Sequence, residues 1–579
     1  MSDSIQYHLK VADLHAHQFE ITIIIDAPKP EGQKLSCPRW IPGSYLIRDF
    51  AKHIIRVTAE DGAGKAVLIE KHAIDTWFVQ APPETLVVKV LVYAWDFSVR
   101  GAHLDHFHGF FNPIVGCLEV EGRTENTCLF TVECPDSKPH WQCATGMTPL
   151  ACDDRGFGQY QLSNYHQLVD CPLEMGELSE FKFTAGNKPH RIVLSGVWQG
   201  SAERLLNDVQ RVCQYLQNWM PDPALDFNHY SFLCNLTDKT YGGLEHSSST
   251  ALMAPRKYMP ASMQATVTDD YAVLLGLFSH EYFHNWFIKR IKPSQFTPYR
   301  YQEISLTQQL WVFEGFTSYY DDLSLVRSGV ISQQQYLSTL GKTITRYLMG
   351  PGQQVQSVTD SSFDAWIKFY QPNENTPNTV VSYYIKGALI CLCLDALIRH
   401  HVGGGKSLDT IVFEIWKRYH TGGVPEKAIE ALIGTIGGPH VTAFLEKALY
   451  TTEPLPLAEC LAILGVRLDL SDDQKKSKTG HSHGLLLDSN GRVLTVLSGS
   501  AAERAGLASD DVIVALNQQM YAKDILDALP SGQTLGIHFF RDGILRETSL
   551  VAQALPKTVA QLSIGSESKA RDLVDSWLN

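Results

Sequence analysis

The sequence predicts a multidomain α+β protein. At 579 residues the chain is too long for one hydrophobic core. Apolar and polar residues alternate over roughly the first 190 positions, which is typical of strands. From about position 200 the apolar spacing becomes helical, and short strands return after a polar gap near 471–484. The prediction is therefore a β domain followed by a mixed domain, a helical domain and a small β domain.

The N-terminal domain is predicted over 1–190 as an antiparallel β domain. Strings such as HQFEITIIIDA and KVLVYAWDFSVR alternate, and turn clusters such as EDGAGK separate them. A catalytic domain is expected over 191–335, a helical domain over 336–456 and a short-strand domain over 457–555. The tail, 556–579, is predicted to end in a helix of unknown purpose.

Bulk composition narrows the classes of function. The formal net charge is −13, which argues against a nucleic-acid partner, because such proteins usually present a basic face. No stretch reaches the roughly 20 apolar residues of a membrane span, and the N-terminus does not resemble a signal peptide. The twelve cysteines are dispersed, and Cys391 and Cys393 are expected to be small core residues. A reducing, cytoplasmic location is expected.

A metal site is predicted on the segment TDDYAVLLGLFSHEYFHNWFIKR. Thr268 can cap a helix on which His280 and His284 stand at i and i+4, so both imidazoles project from one face. That spacing lets two nitrogens reach one zinc ion at about 2.0–2.1 Å, and Glu281 beside them can act as a general base. The alternative is a helix with two half-buried core histidines.

Glu314 is the candidate third ligand. It lies on a second predicted helix, with 29 residues between it and His284, among apolar and aromatic residues where an unpaired carboxylate would be costly to bury. Gly315 would let two helices approach closely. A catalytic zinc site takes three protein ligands and one open position, so His280, His284 and Glu314 would hold one zinc ion per chain. The alternative is a glutamate on a helix surface, and cobalt or iron also suits this ligand set in vitro.

Several motifs together resemble the glycyl aminopeptidase family of gluzincin metallopeptidases: HEYFHNW, WVFEGFTSYY, YGGLEH, SYYIKG, CPRWIPGSYLIRDFAKH and DFSVRGAHLDHFHGFFN. They occur in the family's order along nearly the whole chain. The resemblance implies a thermolysin-like catalytic domain and a zinc aminopeptidase that removes N-terminal residues, with Gly or Ala expected, from peptides with a free N-terminus. Zinc and Glu281 would activate the water.

The resemblance also implies substrate-binding residues. In related aminopeptidases a Gly-rich turn ending in Glu binds the α-amine, and here that stretch is Gly242, Gly243 and Glu245. His246 stands where the larger group usually has Asn, so its contact is open. The YEKG-like string SYYIKG aligns Tyr384, rather than Tyr383, with the tyrosine that stabilises the tetrahedral intermediate. The alternatives are a solvent-facing Glu245 and two tyrosines that only pack in the core.

The segment HGLLLDSNGRVLTVLSGSAAERAGLASDDVIVALNQQ resembles a bacterial-type PDZ domain, in which His483–Leu486 would form the carboxylate-binding loop. Such a domain binds a peptide or protein tail, although a purely structural docking module fits equally. Two other readings stay open for the whole chain. One is a zinc endopeptidase whose substrates the PDZ domain delivers, and the other is an inactive peptide-binding scaffold. His103, His106 and His108 could suggest a second metal, but their spacing fits no single face, so a structural role is favoured.

Overall fold

The computed structural model describes residues 4–80, 82, 84–220, 225–472, 483–554 and 556–579. The chain forms two compact units. The first runs to Ser305 and also includes Tyr419–Gly423, and the second comprises Leu306–Arg418 and Val424–Asn579. The prediction of a multidomain α+β protein with an N-terminal β domain is confirmed.

The first unit contains most of the strands. Its elements in chain order are β1 Ile5–Asp13, β2 Gln18–Asp26, β3 Gln33–Ser36, β4 Ile54–Asp61, β5 Ala66–Val67, β6 Ile69–Ala73, β7 Thr76–Val79, β8 Thr85–Tyr93, β9 Ala102–Leu104, β10 His108–Phe111, β11 Glu119–Val120, β12 Cys128–Val132, β13 Gln142–Thr145, β14 Thr148–Cys152, β15 Gly158–Leu162, α1 Tyr165–Val169, β16 Leu173–Gly176, β17 Ser179–Ala185, β18 Lys188–Ser195, α2 Ala202–Trp219, β19 Tyr230–Thr237, β20 Gly242–Glu245, β21 Ser249–Pro255, α3 Asp269–Phe283 and β22 Lys292–Pro293.

The N-terminal β domain is built on an eight-stranded sheet, in the order β14-β15-β12-β1-β2-β8-β4-β5. Strand β2 buries every second side chain against the core, as its alternation predicts. Two four-stranded sheets, β13-β16-β10-β9 and β11-β3-β7-β6, complete the domain. The sheets are mainly antiparallel, but β1 pairs in parallel with β12. That pairing could not be predicted, because alternation of apolar and polar residues does not encode strand direction.

A five-stranded sheet, β17-β18-β19-β21-β20, follows the N-terminal β domain. Strands β18, β19 and β21 run parallel, and β20 is an antiparallel edge strand against β21. Helices α2 and α3 contact each other, and α3 also contacts β20. The edge strand therefore lies beside the helix that carries the two histidines.

The second unit is mainly helical and ends in short strands. Its elements are α4 Leu310–Arg327, α5 Gln333–Met349, α6 Val358–Phe363, α7 Thr376–Thr379, α8 Tyr383–His401, α9 Leu408–Tyr419, β23 Gly423–Val424, α10 Ala428–Tyr450, α11 Leu457–Ile463, β24 Val466–Ser471, β25 Leu485–Leu487, β26 Val493–Val496, α12 Ala501–Arg504, β27 Val512–Leu516, β28 Gln519–Met520, α13 Lys523–Asp527, β29 Thr534–Arg541, β30 Ile544–Val551, β31 Val559–Ile564 and α14 Ser568–Leu578.

Helices α4 and α8 pack through two glycines. A Cβ added at Gly315 would lie 2.6 Å from the Cα of Gly387, so the backbones touch at this point and only glycine fits. The contact supports the expectation from the sequence that Gly315 allows a close helix pair. It fixes the segment of α4 that carries Glu314 against the start of α8.

The C-terminal tail is a structural part of the second unit. Strand β31 pairs with β24, and helix α14 inserts the fully buried Trp577 beside α4 and α5. The Trp577 indole donates to the hydroxyl of Tyr319 over 2.9 Å, and Arg327 donates to the Trp577 carbonyl. The predicted terminal helix is thus present, and it packs against α4 through these contacts.

The small β region that resembles a PDZ domain has its own hydrophobic core, to which β25, β26, β27, β29, β30, α12 and α13 contribute. His483 has a positive φ of 55°, and its Nε2 lies 3.2 Å from the carbonyl of Leu526. The polar gap that precedes it, 473–482, lies outside the described residues.

Among the residues that the structure describes, two helices are apolar and long enough to cross a membrane by length and composition alone, one over Thr376–His401 and the other α10. The first has 78% of its apolar window buried, and a buried core helix meets the same criterion. The second is broken at Gly438, where φ is +78°. Length and composition are therefore weak evidence for a span at either helix.

Candidate active site

Helix α3 presents His280 and His284 from its last turn. The hydroxyl of Thr268 caps the helix by accepting from the backbone N–H of Tyr271 over 3.1 Å, as the sequence predicts. The Nε2 atoms of the two histidines lie 3.2 Å apart. Two ligands of one tetrahedral zinc ion at about 2.0–2.1 Å would be about 3.3 Å apart. The spacing of this pair therefore fits a shared metal ion.

The orientation of His284 also fits metal binding. Its Nδ1 lies 3.0 Å from the carbonyl oxygen of Phe287, which can only accept, so Nδ1 carries the proton. The Nε2 lone pair then points to the site, in the arrangement that metal-ligating histidines commonly show. His284 is 2% exposed, so the chain holds the ring in this orientation.

Two carboxylates adjoin this histidine. Glu281 and Glu245 are each 5% exposed, and one ligand atom from each lies within 4.8 Å of the others and of His284. Glu245 ends the edge strand β20, and Glu281 presses against Gly243 of the same strand, where no Cβ would fit. The edge strand thus brings the Gly-rich turn to the helix, and two buried carboxylates there favour a cationic partner.

A loop of the β domain covers Glu245. A Cβ added at Gly43 would lie 2.6 Å from both carboxylate oxygens of Glu245, and Gly43 has a φ of +88°. The positive φ favours glycine there, and a methyl group could be added only by displacing the Glu245 carboxylate. The carboxylate lies directly on the Gly43 backbone, so this loop forms one wall of the site.

A buried ionic network holds the two residues that follow Glu245, His246 and Ser247. Asp170 accepts from Lys289 Nζ over 2.7 Å and from the backbone and hydroxyl of Ser247, and it lies 3.2 Å from Nδ1 of His246. Burial opposes ionisation of Asp170, but the charges of Lys289 and His246 outweigh it, so the pKa of Asp170 is well below its usual range. The network fixes the chain that follows Glu245, and it shows that His246 contacts Asp170.

The second unit carries the remaining candidates. Glu314 is 2% exposed on α4, and Tyr384 lies in the first turn of α8. The Tyr384 hydroxyl lies 3.3 Å from that of Tyr370. Burial and then the Glu314 carboxylate raise the pKa of Tyr384 well above its usual value. Tyr384 is therefore a protonated donor in the electrostatic range of Glu314, whereas Tyr383 is fully buried against Phe369.

Comparison with known proteins places the chain in a family. Residues 6–177 match the peptidase M61 N-terminal domain, and residues 273–390 match the M61 glycyl aminopeptidase family. A crystal structure of an aminopeptidase N family protein from Idiomarina loihiensis is 37% identical, with a TM-score of 0.94, and the match covers 99% of this chain and 100% of that one. The chain belongs to the M61 peptidase family. It is therefore a peptidase, a hydrolase that acts on peptide bonds.

More distant structures resemble this M61 peptidase weakly. An M1 zinc metallopeptidase from Deinococcus radiodurans is 14% identical over 79% of this chain and 95% of that chain, with a TM-score of 0.46. Yeast LTA4 hydrolase is 12% identical over 78% and 68%, also with a TM-score of 0.46. Similarity at this level carries no information about individual residues. The search of curated proteins found no match.

Some residues of the M61 peptidase site could not be found from sequence. Gly43 lies in the string CPRWIPGSYLIRDFAKH, which signalled the family but gave this glycine no role. Lys289 follows the mainly aromatic segment YFHNWFI, yet nothing in the sequence pointed to Asp170, 119 positions away, as its partner. Gly43 and Lys289 are both far in sequence from the carboxylates that they contact, Glu245 and Asp170, so local patterns could not reveal these contacts.

Proposed function

We propose that this M61 peptidase is a zinc-dependent aminopeptidase that removes N-terminal residues from peptides with a free amine. The observation that carries the proposal is the buried cluster of Glu245, Glu281 and His284. This cluster supports the assignment of one carboxylate as the amine-binding group and of the other as the general base, because both lie within 4.8 Å of a proposed metal ligand. The preference for Gly or Ala rests on the resemblance to glycyl aminopeptidases.

The ligands proposed for zinc are His280, His284 and Glu314. The 3.2 Å spacing of the two imidazole nitrogens and the hydrogen bond that orients His284 support the first two. The burial of Glu314 on α4 supports the third. A zinc ion held there would supply a Lewis acid that could polarise the scissile carbonyl and make the nucleophilic water more acidic.

Each remaining residue has a proposed task in the reaction. Glu281 accepts a proton from the attacking water and later donates it to the leaving amine. Tyr384, which burial and Glu314 keep protonated, donates a hydrogen bond to the developing oxyanion. Glu245, with Gly242 and Gly243 before it, pairs with the substrate ammonium. That pairing sets the register at one residue, and Gly43 behind the carboxylate supports a closed end to the cleft.

The segment over 483–552 is proposed as a PDZ-like module that takes a peptide or protein tail. Its separate core and the positive φ of Gly484, at +90°, support this role. A cytoplasmic location is also proposed, because all twelve cysteines are free.

Hydrolysis of glycyl-, alanyl- and leucyl-arylamides beside an N-acetylated peptide tests the aminopeptidase. The wild type is expected to cleave the free-amine glycyl and alanyl substrates and to leave the blocked peptide intact. Glu245→Ala is expected to lose about 2–5 kcal/mol of transition-state binding, because the substrate ammonium loses its partner. Its zinc content should be unchanged, since Glu245 is proposed to bind the amine and not the metal.

The opposite outcomes identify the alternatives. Cleavage of the blocked peptide that survives Glu245→Ala would indicate an endopeptidase. A chain that binds zinc and cleaves no substrate would indicate a peptide-binding scaffold.

Gly43→Ala is expected to lower kcat/KM on glycyl-arylamide by about 10- to 100-fold. The new methyl group would overlap the Glu245 carboxylate and displace it, and a displacement of about 1 Å can reduce the rate about 100-fold. The loss should be visible mainly in KM, because the carboxylate is proposed to bind the amine.

Gly64→Ala is the matched control. Gly64 also has a positive φ, +83°, but nothing lies within 4 Å of a Cβ built there. Backbone strain is therefore similar in the two variants, and only Gly43→Ala adds a clash. Equal kinetics for the two variants would refute the contact between Gly43 and Glu245 as the cause.

A further inference from the structure

A second cluster of histidines and carboxylates is buried in the N-terminal β domain. His103 lies on β9, His108 on β10 and Glu174 on β16, which are neighbouring strands of one sheet, and Asp105 lies in the turn between the first two. His103, His108 and Glu174 are 5%, 8% and 2% exposed. The strand pairing thus gathers side chains whose spacing in sequence fits no single face.

Two pairs of donor atoms in this cluster lie at distances that suit neighbouring ligands of one metal ion. His103 Nε2 lies 3.3 Å from Asp105 Oδ2, and His108 Nε2 lies 3.1 Å from Glu174 Oε1. One atom from each of His103, Asp105 and His108 lies within 4.8 Å of the other two. Ligands about 2.0–2.1 Å from a tetrahedral zinc ion are about 3.3 Å apart. His103, Asp105 and His108 therefore lie near enough to one another to close on one ion, and Glu174 adjoins them through His108.

Hydrogen bonding alone does not satisfy the cluster. Within the described part of the chain, Glu174 Oε1 accepts no well-aligned hydrogen bond, although His108 Nε2 lies 3.1 Å from it. Asn235 Nδ2 lies 3.0 Å from the same His108 nitrogen, which cannot accept from the amide and donate to the carboxylate at once. Asp105 Oδ1 accepts from the backbone N–H groups of Phe107 and His108, which turns Oδ2 toward His103.

The charge balance also favours a cation. Asp105 and Glu174 bring two negative charges, and the ion pairs recorded for them among the described residues are with His103 and His108 alone. A cavity of about 20 Å³ adjoins the cluster, with Phe97, Val99 and Leu233 in its lining. That volume suits about one water-sized group. A divalent cation there would balance the charges of the two carboxylates in these apolar surroundings.

We propose that His103, Asp105, His108 and Glu174 bind a second, structural zinc ion. Two imidazoles and two carboxylates match the donors that zinc accepts, and four protein ligands leave no open position for a substrate. The ion would join β9, β10 and β16 and so stabilise this sheet. The proposal does not depend on the aminopeptidase function, because it uses none of the same residues.

Zinc content per chain, measured on the full-length protein after gel filtration, tests the proposal. The wild type is expected to hold two zinc ions and Glu174→Gln one, because the neutral amide keeps the side-chain shape but loses the charge. His106→Asn is the matched control, since His106 is an exposed histidine of the same segment, and it should keep two ions. One ion in the wild type, or two in Glu174→Gln, would overturn the second site.

A chain with both His280→Ala and His284→Ala separates the two sites. It should keep one ion, and Co²⁺ in its place should give the intense visible absorption of tetrahedral coordination by nitrogen and oxygen. That spectrum should vanish when His103→Asn is added and persist when His106→Asn is added. A chain that binds no cobalt would refute the second site even if Glu174→Gln failed to fold. A wild type without zinc would contradict both sites. A wild type with one ion, which is lost when His280 and His284 are both replaced, would contradict only the second site.

Discussion

Replacing Glu281 by glutamine is expected to lower kcat on glycyl-arylamide by about 100- to 10,000-fold, the usual contribution of a general base. Glutamine has nearly the shape of glutamate, so its contact with Gly243 should persist while the proton acceptor is lost. KM and zinc content should change little, because Glu281 is proposed to act on the attacking water and not to bind zinc or substrate. Steady-state kinetics with zinc analysis on the same preparation measures both effects.

Glu203→Gln is the control for this substitution. Glu203 is an exposed residue in the first turn of α2, so the same chemical change there should leave kcat unaltered. Retention of more than about a tenth of wild-type kcat by Glu281→Gln would contradict the general-base role, since a base that contributes so little does not carry the reaction.

Asp170→Asn is expected to lower the free energy of unfolding by about 3–5 kcal/mol, because it leaves the buried Lys289 without its counter-charge. The effect should extend to the site, since Asp170 also fixes Ser247 and His246 directly after Glu245. Urea unfolding of the full chain, followed through the first transition, measures the loss. A rise in KM for glycyl-arylamide should accompany it.

The pH dependence of this loss has a defined sign. The pKa of Asp170 is lowered in the folded chain. Its contribution to the free energy of unfolding is therefore present above the unfolded pKa of about 3.9 and is lost as pH falls toward the folded pKa. Burial opposes the charge of Lys289, but the charge of Asp170 outweighs burial and raises the pKa of Lys289. The contribution of Lys289 to the free energy of unfolding is therefore present below the unfolded pKa of about 10.4 and is lost as pH rises through the folded pKa. The difference between wild type and Asp170→Asn should therefore stay constant from about pH 5 to pH 9.

An exposed ion pair provides the matched control. Lys29 and Glu121 lie 3.1 Å apart, with 37% and 48% of their side chains exposed. Glu121→Gln should cost no more than about 1 kcal/mol, because water screens such pairs. Similar losses for Glu121→Gln and Asp170→Asn would show that the buried network has no special stabilising role.

Local sequence patterns predicted the parts of the site that lie on one element. The i, i+4 spacing of His280 and His284 needs only a helix, and Thr268 was recognised as its cap because capping depends on neighbouring residues. The role of Gly315 followed from its position on an apolar helix, and the structure shows the close backbone contact with Gly387. The assignment of Glu314 as third ligand stays a prediction.

The sequence by itself determined the class of elements, the helix with its two histidines and the family, because periodicity, caps and motif spacing are properties of residues close together in the chain. Only the tertiary structure decided that Gly43 covers Glu245, that Asp170 pairs with Lys289 and that Glu174 joins His103 and His108. These contacts depend on strand order, strand direction and loop path. They arise when distant segments pack to bury apolar surface, and a one-dimensional pattern does not encode which partner each buried charge will meet.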